Sequence, residues 1–237
     1  MSGIFQFKQF AVDQTGCAMK INTDGVLLGA LAEAKSPQNI LDIGTGTGVI
    51  ALMLAQRFSS SKIDAVEIDE PASLTANKNF KNSPFADRLK LFHQDFEKYF
   101  EEHPERKYDL IVSNPPFHIN SLESPKANKT VAKHTDKDFF EGLITGITKH
   151  LTESGLCWLI LPLQAAELVK ELAVSNNLFL KRVITVHSFE HSTPHREILC
   201  FGLNQREIEN SKLVIYESIG NYSAEYKQLL KPYFIAF

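Results

Sequence analysis

A chain of 237 residues, 43% hydrophobic and 22% charged, has ordinary globular composition and enough apolar side chain for a sizeable core, which excludes a disordered or fibrous chain. Its net charge of −3 supplies no global attraction to nucleic acid, so any such partner has to be held by a local patch. Three scattered cysteines, Cys17, Cys157 and Cys200, lack C-x-x-C spacing and the eight histidines lack metal-ligand spacing, so neither a disulfide framework nor a bound metal is expected.

Short β-branched apolar runs alternate with longer helical patterns, the sequence form of repeated βα units over a mainly parallel sheet. In chain order, strands are predicted at Asn39 to Ile43, Lys62 to Val66, Leu89 to Phe92, Tyr108 to Val112 and Leu156 to Leu161. Helices are predicted between them at Val49 to Phe58, Pro71 to Asn82, Asp95 to Glu102 and Asp138 to His150, with Pro71 suited to a first turn. After a helix at Gln164 to Ser175, strands at Lys181 to His187 and Glu197 to Gly202 return tightly on each other and read as an antiparallel hairpin at the sheet edge. A strand near Leu213 to Tyr216 and a helix from Ser223 to Leu230 close the chain. The longest polar stretch without periodicity, His118 to Lys137, reads as a functional loop. The start, Met1-Ser2-Gly3-Ile4, lacks a secretory pattern, and no apolar run approaches the ~20 residues of a membrane span, so a cytoplasmic protein with no membrane partner is expected.

The first chemical signal is Leu41-Asp42-Ile43-Gly44-Thr45-Gly46-Thr47-Gly48, which follows a strand and opens a helix. Glycines there let backbone approach a ligand that side chains would block. The spacing is G-x-G-x-G. Val49 breaks the G-x-G-x-x-G of a dinucleotide site, and no G-K-[ST] ending completes a P-loop. Glu67 ends the next strand 23 residues beyond Gly44, where an acid accepts from ribose hydroxyls. Asp95 ends the third, where a carboxylate can accept from an adenine amino group. With Asp42 these acids suit adenosine joined to a cationic group and would repel a pyrophosphate. S-adenosylmethionine has that character. The plainer alternative is a tight turn beside acids that cap helices.

The second signal is Ser113-Asn114-Pro115-Pro116-Phe117 at the end of the fourth strand, on the carboxyl edge where open α/β sheets bind ligands. Two prolines stiffen the backbone and leave carbonyls as acceptors. An exocyclic base nitrogen or an amide nitrogen is a poor nucleophile, because its lone pair is delocalised. Acceptors on its hydrogens, the Asn114 side-chain oxygen and the Pro115 carbonyl, would favour the pyramidal nitrogen of the transition state. Phe117 would stack on the planar substrate. The alternative is an ordinary turn with Phe117 in the core.

These residues resemble the class I methyltransferases, in the amino-methylating group with an N-P-P-[FY] motif. The whole chain is similar to the bacterial tRNA1(Val) adenine-N6 methyltransferase family, from Phe7-Lys8-Gln9-Phe10 through Cys17-Ala18-Met19-Lys20 and Thr23-Asp24-Gly25 to Pro194-His195-Arg196 and Asn221-Tyr222-Ser223. That resemblance implies an α/β Rossmann-like fold with a seven-stranded, mainly parallel sheet, its last strand antiparallel, and helices on both faces. It implies one domain over 1–237, with 1–36 a cap on the substrate side and 37–237 the catalytic core. The implied cofactor is S-adenosylmethionine, held by Asp24, Asp42, Gly44, Gly46, Gly48, Glu67, Ile68, Asp95, Phe96 and Asn114. The implied catalytic residues are Asn114, Pro115, Pro116 and Phe117, and the implied substrate is the adenine just 3′ of a tRNA anticodon. Asp24 would begin a helix over the methionine part of the cofactor, or Thr23-Asp24 would simply be an N-cap. Tyrosine is frequent where this chain has Phe117, which leaves adenine, guanine and glutamine open as targets.

Rival readings are a guanine-N2 rRNA methyltransferase, a protein glutamine methyltransferase and a silent RNA-binding module. The intact set Asp42, Glu67, Asp95 and Asn114 argues against silence. Candidate tRNA contacts are Lys126, Lys129 and Lys133 in the polar stretch and Arg196, with His191 and His195, in the hairpin turn; the plain alternative is a solvated charged surface.

Overall fold

A computed structural model describes residues 3–17, 20–116 and 129–237, apart from the side chains of 129–136. The elements are β1 (Ile4–Gln6), β2 (Ala11–Asp13), α1 (Thr23–Leu31), β3 (Asn39–Ile43), α2 (Val49–Arg57), β4 (Lys62–Glu67), α3 (Glu70–Lys81), β5 (Leu89–His93), α4 (Phe96–Glu102), β6 (Tyr108–Ser113), α5 (Lys129–His150), β7 (Leu151–Leu161), α6 (Leu163–Ser175), β8 (Phe179–His187), β9 (Pro194–Gly202), β10 (Glu209–Val214), β11 (Tyr216–Ser218), β12 (Asn221–Tyr222) and α7 (Ala224–Leu230).

Eight strands form one sheet in the order β10-β8-β9-β7-β6-β3-β4-β5. Strands β3 to β7 pair in parallel, β9 runs antiparallel to both β7 and β8, and β10 runs parallel to β8. Side chains alternate across the sheet with the period of two that a pleated strand imposes. Ile40, Leu110, Val112, Trp158 and Ile160 meet α1, α2, α7 and the N-terminal hairpin on one face, while Leu41, Ile43, Ile111, Leu159 and Leu161 meet α4, α5 and α6 on the other. Burial on both faces is why these strands read as continuous apolar runs.

The expected seven strands are therefore eight. The strand expected near Leu213 to Tyr216 begins at Glu209, joins the sheet beyond β8 and takes the edge that the β8–β9 hairpin was expected to occupy. The antiparallel strand is β9 and not the last of the sheet in sequence. Helix α5 begins at Lys129, so the expected loop over 118–137 is helical from that residue on. The physical reason is cooperativity: Phe140, Leu143, Ile144 and Ile147 bury one stripe of α5, and a helix so anchored extends through polar residues that show no periodicity of their own.

The order of strands reverses between β3 and β6. One chain crossing leaves β3 toward β4 and the other arrives at β6, opening a crevice outside the carboxyl ends of both strands. Ser113 Oγ holds those ends together by donating to the Ile43 carbonyl at 2.8 Å.

Candidate functional site

Strand register sets the site. Ile43 lies opposite both Val66 and Ser113, and Glu67 lies opposite His93, so Gly44, Glu67, His93 and Asn114 come level along the carboxyl edge, with Gln94 one position beyond. The turn after β3 takes left-handed backbone at Gly44 (φ 70°) and Gly46 (φ 57°), and a Cβ at either would meet nothing within 4 Å. These two glycines thus border open space. Gly48 differs from them, since a Cβ there would stand 2.5 Å from the Phe80 ring, and its lack of a side chain lets α2 start against α3.

Glu67 is buried and holds this turn, accepting from the Gly46 amide (2.8 Å) and the Asp69 amide (2.9 Å). Asp42 is fully buried; its Oδ2 accepts from Thr45 Oγ1 at 2.6 Å, and its Oδ1 accepts no hydrogen bond of ordinary geometry. Burial pushes the Asp42 carboxyl up from its ordinary 3.8 to about 7, with the Glu67 charge adding to the rise and the Thr45 hydroxyl and Ala51 amide opposing it. Asp95 caps α4 through Oδ1, which accepts from the Glu97 amide at 2.7 Å and, more weakly, from the Lys98 amide at 3.4 Å. The capping alternative is thus true of one Asp95 oxygen. Ile68 is exposed beside the strand end, whereas Phe96 packs edge-on against Phe100 and Phe139 in the core.

Asn114 follows β6 with its side-chain oxygen buried and without a hydrogen-bond partner. Pro115 is buried behind it and Pro116 is exposed. An amide oxygen left unpaired in a buried place costs free energy, about 1–3 kcal/mol, unless a ligand supplies the donor. Phe117 and Lys126 lie outside the described residues, and Lys129 and Lys133 fall on α5 where side chains are not described.

The helix cap expected at Thr23-Asp24 is Asn22, whose side chain accepts from the Gly25 amide at 2.9 Å. Asp24 instead pairs with Arg196 Nε at 2.8 Å, joining α1 to the start of β9. Arg196 is thereby committed to an internal ion pair, which lowers its worth as a phosphate ligand.

Two residues of the site were missed in the sequence. Gln94 leaves a buried Nε2 donor unpaired one position before Asp95, and nothing in its sequence context marks it. Asn79 is buried and donates from Nδ2 to the Thr47 and Asp13 carbonyls while its Oδ1 accepts from the Asp13 amide, all at 2.9 Å. It ties the N-terminal hairpin to the glycine turn; a polar residue within the apolar stripe of α3 was the available signal.

The glycine turn, the acids at successive strand ends and the unpaired acceptors together fit a ligand with hydroxyl and amino donors and a positive charge. S-adenosylmethionine meets that description through its ribose, adenine and sulfonium. Among the described residues no group of three or more His, Cys, Asp or Glu side chains is placed to hold a metal ion, and no helix is long and apolar enough to cross a membrane.

Known proteins agree with this geometry. The methyltransferase small domain family matches residues 21–172. A tRNA1(Val) (adenine(37)-N6)-methyltransferase from Pedobacter heparinus is 51% identical over 237 residues, covering 100% of both chains. One of the same name from Bacteroides fragilis is 40% identical, covering 98% of this chain and 97% of its own. The crystal structure of a predicted O-methyltransferase from Agrobacterium tumefaciens superposes with a TM-score of 0.68 at 17% identity, over 89% of this chain and 96% of the other, which establishes the fold alone. By sequence identity over all 237 residues, the chain belongs to the tRNA1(Val) (adenine-N6) methyltransferase family.

Proposed function

We propose that this protein transfers a methyl group from S-adenosylmethionine to N6 of an adenine in tRNA, the adenine 3′ of the anticodon in valine tRNA. The observation that carries the chemistry is the buried, unpartnered Asn114 Oδ1 at the end of β6, level with the open glycine turn. The relatives named for adenine(37) favour adenine over guanine or glutamine.

The cofactor supplies a methyl carbon already activated by a sulfonium. Gly44 and Gly46 leave room for it, Glu67 accepts from the ribose hydroxyls with its remaining lone pairs, and the free Asp95 oxygen accepts from the adenine amino group. Ile68 borders the same space, Asp42 lies buried behind the glycine turn, and Asp24 acts from its pair with Arg196. Asn114 Oδ1 and the Pro115 carbonyl accept hydrogen bonds from the two hydrogens of the target nitrogen and stabilise its pyramidal form, so no strong base is needed: as the N–C bond forms and the sulfonium C–S bond breaks, positive charge reaches nitrogen and one now-acidic proton passes to water. Phe117 stacks on the target base and Pro116 stiffens its approach. Lys126, Lys129 and Lys133 contact phosphates.

Methylation of unmodified total tRNA with labelled cofactor, followed by nucleoside analysis, tests this reading. Label in N6-methyladenosine is expected. Label in N2-methylguanosine, or none in RNA, would overturn it.

A further inference from the structure

The carboxyl ends of β8 and β10 and the amino end of β9 continue the edge that carries Asn114, and there the chain exposes an aromatic ring on a braced turn. His187 ends β8, lies opposite Pro194 of β9 and lies opposite Val214 of β10. Phe189, in the turn between β8 and β9, is 38% exposed. Its turn is held from within: the Phe189 amide donates to Ser192 Oγ (3.0 Å), Ser192 Oγ and the Ser192 amide donate to the Phe189 carbonyl (2.9 and 3.0 Å), and His187 Nδ1 donates to the Ser192 carbonyl (2.6 Å). Neighbouring elements hold it from outside, through the Tyr216 amide on the Ser188 carbonyl (2.9 Å) and Lys212 Nζ on Glu190 (2.7 Å).

The Phe189 ring leans, tilted, on the outer end of a tyrosine stack. It lies 5.7 Å from the Tyr216 ring, Tyr216 lies 5.1 Å from Tyr222, and Tyr222 lies 4.8 Å from Tyr226, with interplanar angles of 36°, 21° and 12°. Tyr226 at the far end is buried in the core. A graded ladder of this kind, buried at one end and presenting a ring to solvent at the other, is built to take one more planar group. The Tyr216 contact and the braced turn hold the part-exposed Phe189 ring in place, and a ring so held loses little entropy when a partner stacks on it.

We infer that Phe189 is a stacking platform for an unpaired base of the RNA substrate, flanking the adenine that is methylated; this rests on the function proposed above. Three strand spacings separate β8 from β6 along the sheet, about 14 Å, or roughly four stacked nucleotides. Unpaired bases are the parts of RNA that aromatic side chains recognise, by π-face contact that needs no particular base identity. Charge does not oppose the approach, since Lys212 pairs the turn's own acid, Glu190, and His191 beside it is exposed.

The test compares Phe189→Ala, Phe189→Leu and Phe189→Tyr in the full chain, using fluorescence anisotropy with end-labelled unmodified valine tRNA and steady-state methylation. Alanine and leucine are expected to raise the tRNA Kd and KM by roughly five- to a hundredfold, the range of one lost base stack, with kcat at saturating tRNA and affinity for S-adenosylmethionine kept. Tyrosine keeps a π face and should stay within about threefold of the parent, while leucine keeps apolar volume without one; leucine also carries the comparison if alanine unfolds. Parental tRNA affinity in the alanine and leucine variants, or equal rescue by leucine and tyrosine, overturns the stacking role. A parent that self-associates in sedimentation and becomes monomeric on Phe189→Ala, with tRNA affinity unchanged, assigns the ring to a second copy instead. A parent that binds tRNA without methylating it overturns the proposed function, while the anisotropy series still decides Phe189.

Discussion

The two edges of the sheet are chemically opposite. At the amino edge the acids are saturated, although His150 Nε2 before β7 is buried without a partner: Asp64 Oδ2 accepts from Arg106 Nη1 (2.6 Å), Tyr108 OH (2.8 Å) and Tyr99 OH (3.0 Å), and Asp109 accepts from the Gln38 and Asn39 amides and from Thr152 Oγ1. Arg88, a short way off, gives its guanidinium to the carbonyls of Ala55, Phe58 and Ser61. At the carboxyl edge Asp42 Oδ1, Gln94 Nε2 and Asn114 Oδ1 are buried without partners. The same fold can satisfy an aspartate completely, so the grouping of three open valences at the strand ends beside the glycine turn marks where a ligand completes the structure.

The sharpest way to break this contrast is Asn114→Ala. If the unpaired oxygen serves the transition state, kcat falls about 10²–10³-fold, near 3–4 kcal/mol, while tRNA affinity and folding stay near parental. Single-turnover transfer at saturating cofactor isolates that step, and Asn114→Asp, which keeps an acceptor, should retain more activity than alanine. An alanine variant that methylates at the parental rate reduces Asn-Pro-Pro-Phe to a turn.

The opposite edge predicts the opposite phenotype. Asp64→Ala removes the acceptor shared by Tyr99, Tyr108 and Arg106 and leaves them only their bonds to one another, so it should cost about 2–3 kcal/mol of stability with little change in kcat for the folded fraction. Urea unfolding and active-site-normalised rates check both halves. A stable but slow Asp64→Ala would erase the distinction between the edges.

How far the sequence reaches follows the same division. Strands β3, β4 and β6 were readable because both faces are buried and the apolar run is continuous, and the glycine turn and Asn-Pro-Pro-Phe were readable because their chemistry demands unusual residues. Edge strand β10 was misplaced because only Leu213 of its six residues is buried, so its pattern cannot say which strand it joins. The hairpin of β1 and β2 is too short for periodicity; its hold comes from Asn79, from Lys8 on the Lys231 and Phe237 carbonyls, and from Phe7 stacked on Phe10, contacts far apart in sequence or without a motif. Phe96 stands next to Asp95 among the cofactor residues that the resemblance implies, and the helix that Asp95 caps turns its ring into the core. Proximity in sequence to a site residue is a weak guide where a helix begins.

At the carboxyl edge, holding the cofactor can be separated from the chemistry. Glu67→Ala removes the acceptor of the Gly46 and Asp69 amides as well as the proposed ribose contact, so cofactor affinity should fall by about 1.5–3 kcal/mol, more than kcat falls. Titration calorimetry with S-adenosylmethionine reads this directly. Unchanged affinity would remove Glu67 from the site.

The smallest expected effect is a pH dependence carried by Asp42. Its folded-state pKa of about 7 stands above the ordinary 3.8, so ionisation costs the ligand-free protein stability: that stability is full below about pH 4, where the carboxyl is protonated in both folded and unfolded chains, and is lost as pH rises through 7. A cationic ligand reverses the preference, because it interacts better with the carboxylate than with the neutral acid. If binding requires the charged form, the ionised fraction rises about tenfold between pH 6 and pH 8, and cofactor affinity rises by at most that factor, about 1.4 kcal/mol. Asp42→Asn keeps an acceptor for Thr45 Oγ1 and should bind more weakly at pH 8 with a flat profile from pH 6 to 8. Glu67 is the charged neighbour that contributes to the raised value, so Glu67→Gln should move the midpoint to lower pH while leaving the slope. A parental profile that stays flat, or an Asp42→Asn profile that keeps the rise, would show that the buried carboxylate does not sense the ligand's charge, and Asp42 would then join the saturated structural acids of the opposite edge.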